Sequence, residues 1–155
     1  MRRPVIAALS VASLVAVPLA GCGKSDEDKF AGDYKPLNAK LLKLGDELGA
    51  SVNGAKGKSN SEVASDFSRL SKKFTTLRTD MEGLDPPDKL KGDSDKLSTA
   101  LGAVEKDVSS ISAAGKSGDA RAARQSAQKL ATDAQQVNTA QNKLAKATGA
   151  PAGAR

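Results

Sequence analysis

A repeated apolar rhythm constrains this chain more than any other feature: four separate stretches place an apolar residue every three or four positions. The second stretch is the cleanest, with Val63, Phe67, Leu70, Phe74, Leu77, Met81 and Leu84 at intervals of 4, 3, 4, 3, 4 and 3. The first runs Phe30, Tyr34, Leu37, Leu41, Leu44, Leu48 and Val52, with Leu42 alongside. In the third, Leu90, Leu97, Leu101, Val104, Val108 and Ile111 keep the interval, with Ser94 as a polar interruption. The fourth is leaner: Ala120, Ala123, Ala127, Leu130, Ala134, Val137, Gln141 and Leu144. This spacing lines one face of a helix with 3.6 residues per turn and predicts four amphipathic helices.

The residues between these stretches agree. Asn53 to Asn60 form a glycine-rich loop, and Ser59 with Glu62 makes a capping box for the second helix. Gly83 is expected to stop that helix, and Pro86 and Pro87 fall just before the third, where proline is tolerated. Gly115 is expected to end the third helix, with Ser117 or Asp119 capping the fourth. Gly149 and Pro151 close the last. Short connections make sequential helices antiparallel, so the chain reads as an all-α, up-down-up-down four-helix bundle. Aromatic residues make up 3% of the chain, too few to favour a sheet.

The N-terminus has a different character. Arg2 and Arg3 precede Val5 to Ala20, which is apolar apart from Ser10, Ser13 and Pro18 and shorter than the roughly 20 residues a membrane helix needs. It reads as a signal peptide. Leu19, Ala20, Gly21 and Cys22 close it, and Cys22 is the single cysteine of the chain. This stretch resembles the bacterial lipoprotein signal: a leucine, two small residues and a cysteine whose sulfur takes a diacylglyceryl group. The resemblance implies cleavage between Gly21 and Cys22, leaving a lipidated Cys22 as the new N-terminus. Two acyl chains make such an anchor stable, where a single chain exchanges.

The expected organisation is therefore a signal peptide over 1–21, a lipidated N-terminus and flexible tether over 22–35, a bundle over 36–148 and a disordered tail over 149–155. An alternative start exists: Ser25 with Asp28 three residues on would open the first helix early and leave Pro36 inside it as a kink.

Catalytic chemistry is hard to place. With no histidine there is no Ser-His-Asp arrangement, no zinc site of the usual kind and no Glu-x-x-His pair. Gly115, Lys116 and Ser117 lack the preceding glycine and strand of a phosphate-binding loop. Neither enzyme activity, metal nor cofactor is expected beyond the covalent lipid on Cys22. The net charge is +6, or +4 once Arg2 and Arg3 are removed, and it is spread along the helices without stacking aromatics, which argues against nucleic acid. Ser94 and Gln141 interrupt the apolar faces. Either they are the few polar groups of a ligand pocket, or Ser94 lies near an exposed helix end and Gln141 turns outward while Ala140 faces in; the second is the expectation.

The lipoprotein signal, the run LDPPDKLKGD from Leu84 to Asp93, and AAGKSGDARAA before an alanine-rich last helix together resemble small helical lipoproteins of high-G+C Gram-positive bacteria. The resemblance implies a bundle anchored at the outer face of the cytoplasmic membrane. The functional expectation is a non-enzymatic envelope interaction or accessory protein that contacts membrane lipid through its anchor and an envelope protein through its helices. The alternative is a bundle that binds or senses a small ligand between its leucine faces.

Overall fold

The structure, a computed structural model, describes residues 25–153. Four helices account for most of them: α1 (Asp26–Gly54), α2 (Asn60–Glu82), α3 (Asp88–Ser117) and α4 (Ala120–Thr148), with a short 3-10 turn over Ala55–Gly57. No strand occurs among the described residues. Each helix packs on the next, and α1 also meets α4, so the four close into an up-down-up-down bundle. The expected fold class is the observed one.

The start of α1 corrects the expected tether. The helix begins at Asp26, ten residues before Pro36. Ser25 Oγ accepts a hydrogen bond from the Asp28 amide at 3.1 Å, while Asp28 Oδ2 accepts from the Ser25 amide at 3.3 Å. Asp26, Glu27 and Asp28 also place negative charge at the positive end of the helix dipole. Pro36 removes one intrahelical bond, a change that costs about 3 kcal/mol in a helix interior. It lies on the exposed side, so the Gly32 carbonyl it abandons is open to water. The turns before it bury Phe30 and Tyr34, whose rings stack with centroids 5.8 Å apart. Burying a side chain of that size contributes about 1.5–3 kcal/mol, enough for two of them to outweigh the proline.

The connection to α2 follows the sequence expectation. Ser59 and Glu62 form the reciprocal capping box, and Gly83 ends the helix with its amide on the Thr79 carbonyl. At the far end of α3 the expectation fails. Gly115 lies inside the helix, which continues to Ser117 and ends on Gly118, at φ +70°. Gly115 is needed for a close approach instead: a Cβ there would meet the Asn60 carbonyl oxygen at 3.0 Å and the Ala64 Cβ at 3.1 Å. Asp119, not Ser117, caps α4, with Oδ1 accepting from the amides of Arg121 and Ala122.

The tail is also ordered where disorder was expected. Beyond Gly149, at φ +64°, the Ala150 amide returns to the Ala145 carbonyl, and Pro151 to Gly153 fold back against α1 and α4. Residues 154 and 155 lie outside the described residues, as do the expected signal peptide over 1–21 and Cys22. The core is one cluster, with Leu97, Leu101, Val108 and Leu144 fully buried at its centre.

Candidate functional site

Helices α1 and α4 run antiparallel and meet less extensively than the other neighbouring pairs. At one end a buried polar cluster joins them. Tyr34 Oη donates to Asn38 Oδ1 at 3.2 Å, and Gln141 Nε2 donates to the same oxygen at 2.7 Å. The Pro151 carbonyl accepts from Asn38 Nδ2 at 2.8 Å and from Gln141 Nε2 at 3.0 Å. Gln141 Oε1 in turn accepts from the Gly153 amide at 3.0 Å. Burial pushes the Tyr34 phenol well above its ordinary pKa, so it remains a donor throughout the accessible pH range.

Above this cluster the two helices part and leave a groove of about 390 Å³. Leu41, Gly45, Leu48 and Gly49 of α1 form one wall, and Ala131 and Ala134 of α4 the other. Phe74 of α2 and Val104 of α3 make the floor. Gln141 and Gly153 close the lower end. The upper end opens at Val52, which is 42% exposed. The walls are mostly apolar, and Asp46 at the rim is the one charged side chain lining them. The elongated shape, narrow apolar walls and few polar groups suit a single aliphatic chain with a polar head.

A second unusual group lies between α3 and α4. The Asp107 side chain is 5% exposed; its Oδ1 accepts from Lys129 Nζ at 3.3 Å, while Oδ2 has no partner. Lys129 also reaches Asp133 Oδ2 at 3.6 Å. Burial raises the Asp107 pKa above the ordinary carboxylate range, and the neighbouring Asp133 carboxylate raises it further, against the pull of Lys129. The Lys129 ammonium is held above its ordinary value, chiefly by its hydrogen bond to Asp107. This carboxyl pair does not line the α1–α4 groove, so its proton has no adjoining cavity of that kind to serve.

The structure places the residues singled out from sequence apart from one another. Ser94 is buried on α3, beside a shallow depression that Leu84 and Pro86 also line, rather than at an exposed helix end. Gln141 is 1% exposed, and Ala140 next to it is buried as well, so the expected outward rotation is wrong. The reason is chemical: both ends of the Gln141 amide find partners, so its burial leaves nothing unsatisfied. Gln141 closes the groove and Ser94 does not reach it. Asn38 and the tail went unnoticed in the sequence, although Tyr34 and Asn38, four residues apart on one helical face, were a visible hint.

Among the described residues no cluster of three or more histidine, cysteine or acidic side chains is arranged to hold a metal, and no helix is long and apolar enough to cross a membrane. In comparisons with known proteins, the chain matches no family model, no curated protein and no solved structure.

Proposed function

We propose that this protein is a lipoprotein, acylated on Cys22 after cleavage behind Gly21, that presents a non-enzymatic helical bundle at the outer face of the cytoplasmic membrane to an envelope partner. The observation that carries this reading is the position of the lone cysteine directly behind the apolar N-terminal run. The early start of α1 supports it by giving the anchor a mechanical role. Only Gly23, Lys24 and Ser25 separate Cys22 from the helix, a span of about 14 Å at most. One end of the bundle is thereby held close to the headgroups. The other end of α1, 29 residues on, stands about 44 Å away.

Mass spectrometry of the protein from the membrane fraction tests the reading. The expected species lacks residues 1–21 and carries a diacylglyceryl group on Cys22. Full-length protein with a free thiol in the cytosol would overturn it. In-cell photo-cross-linking from exposed positions of α3 and α4 then identifies the partner.

The α1–α4 groove favours a second reading, the binding of a single-chain amphiphile. A ligand that binds only the folded state raises the melting temperature with concentration. Amphiphiles of increasing chain length should therefore raise Tm until the groove is filled, and Gly45→Leu, which occupies it, should abolish the effect.

A further inference from the structure

We infer that a different groove, on the outer side of α2 and α3 near the end farthest from the anchor, binds a soluble phosphate ester of a polyol. Its volume is about 920 Å³, and its walls are polar. On α2, Ser61, Ser65, Ser68 and Lys72 follow one another at intervals of 4, 3 and 4, so three hydroxyls and an ammonium form a single stripe. Arg69 stands beside Lys72, and Lys116 faces them from the last turn of α3. No aspartate or glutamate lines the groove.

The charges are available. Lys72 and Lys116 take part in no ion pair among the described residues. Arg69 gives one terminal nitrogen to Asp66 at 2.9 Å and keeps its other donors, while Asp66 is also held by Lys58 at 2.6 Å. The helix dipoles do not decide the sign here, because the positive start of α2 and the negative end of α3 meet at the same place and offset each other. The three cationic side chains decide it.

This donor set matches one class of ligand. A phosphate takes the guanidinium fork and the ammonium groups as charge-assisted partners, and the serine stripe supplies hydroxyls for a polyol. A nucleic acid would want aromatic side chains on which to stack its bases, and none lines the groove. Phosphate esters of this kind occur both as free oligomers and as lipid headgroups. The choice of the free form rests on the anchored reading, which puts the groove at the end turned away from the membrane.

The test uses residues 23–155, which contain all four helices and no lipid, so it does not depend on acylation. A soluble glycerol phosphate oligomer is titrated against the labelled protein. Its binding should shift the amide signals of Ser61 to Lys72 and of Gly115 to Gly118. The double variant K72Q/K116Q should bind about tenfold more weakly or worse, with an unchanged Tm. The equally discharged control K106Q/K146Q, outside the groove, should bind as the parent does.

Four results would overturn the proposal: equal weakening in the control, signal shifts confined to other surfaces, tighter binding of a single-stranded oligonucleotide of the same charge, or binding to phosphatidylglycerol vesicles without binding to the oligomer. If the oligomer binds as described while Cys22 proves unmodified, the anchored reading fails and the groove assignment stands.

Discussion

Helix α4 has two neighbours and meets them differently. It lies along α3 for most of its length, whereas against α1 it makes few close contacts beyond the polar cluster at one end. Small residues stand on both seams: Ala100 and Ala140 between α3 and α4, Gly45, Gly49, Ala131 and Ala134 between α1 and α4. The first seam is the more closely packed of the two. On α1, Leu41 and Leu48 are buried in the core and line the groove toward α4, while Leu44 lies on the side of α2. The small residues beside them are left facing a trough. Small side chains permit helices to approach, but the layer beneath decides whether they do.

The largest effect is expected on a third seam, between α2 and α3. Gly115 fits against the Asn60 carbonyl and Ala64 with no room for a side chain. Gly115→Leu should lower the stability of the bundle by about 3 kcal/mol, measured by urea denaturation, through overpacking that forces α2 and α3 apart. A loss below about 1 kcal/mol would mean that α2 and α3 part as readily as α1 and α4 do.

Next comes the hydrogen-bonded joint between α1 and α4. Gln141→Ala strips partners from Asn38, Pro151 and Gly153 and should cost about 1–3 kcal/mol. Hydrogen exchange should show the loss as faster exchange of amides in α1, with α2 and α3 little affected.

A smaller effect sharpens the comparison on the α3 side. Asp107 has a raised pKa in the folded state, so the native protein binds this proton more tightly than the unfolded chain does. Its favourable contribution is present in acid and is lost as pH rises from the unfolded carboxylate range through the higher folded value. Asp107→Asn should therefore gain stability relative to the parent as pH rises above the ordinary carboxylate range, as followed by urea denaturation across pH. Other carboxylates act oppositely: the Lys73 hydrogen bond lowers the Glu47 pKa, and the Lys58 bond lowers that of Asp66, so the difference between variant and parent is the quantity to follow.

The smallest expected change is a gain. Gly45 has nothing within 4 Å of where a Cβ would stand. Gly45→Ala should stabilise α1 by about 0.5–1 kcal/mol through helix propensity alone, raising Tm by a few degrees. A loss there would show that the trough is narrower than its walls suggest.

The four apolar faces, the Ser59–Glu62 box and the Gly149 stop were legible because each depends on residues within a few positions of one another. Two features misled because one residue type carries two meanings. Gly115 marks close packing rather than a helix end, and only the position of Asn60 and Ala64, far away in sequence, distinguishes the two. Pro36 looked like a beginning because its local cost is plain, while the burial of Phe30 and Tyr34 that outweighs it depends on the assembled core. Gln141 and the tail were illegible for a related reason. The hydrogen bond from Gln141 to Asn38 spans 103 positions, and no local pattern announces it. Of the two grooves, the serine and lysine stripe on α2 was present in the sequence, but its pairing with Lys116 required the fold.

The fastening at the foot of the bundle gives the chain a temporal order. Asn38 is made long before Pro151 to Gly153, yet each completes the other's bonding. Until residues 151–153 have been made, Asn38 Nδ2 and Gln141 Nε2 lack the Pro151 carbonyl, and the joint between the first and last rods is incomplete. A copy terminated before Pro151 would keep the bond from Gln141 to Asn38 but hold its first rod less firmly.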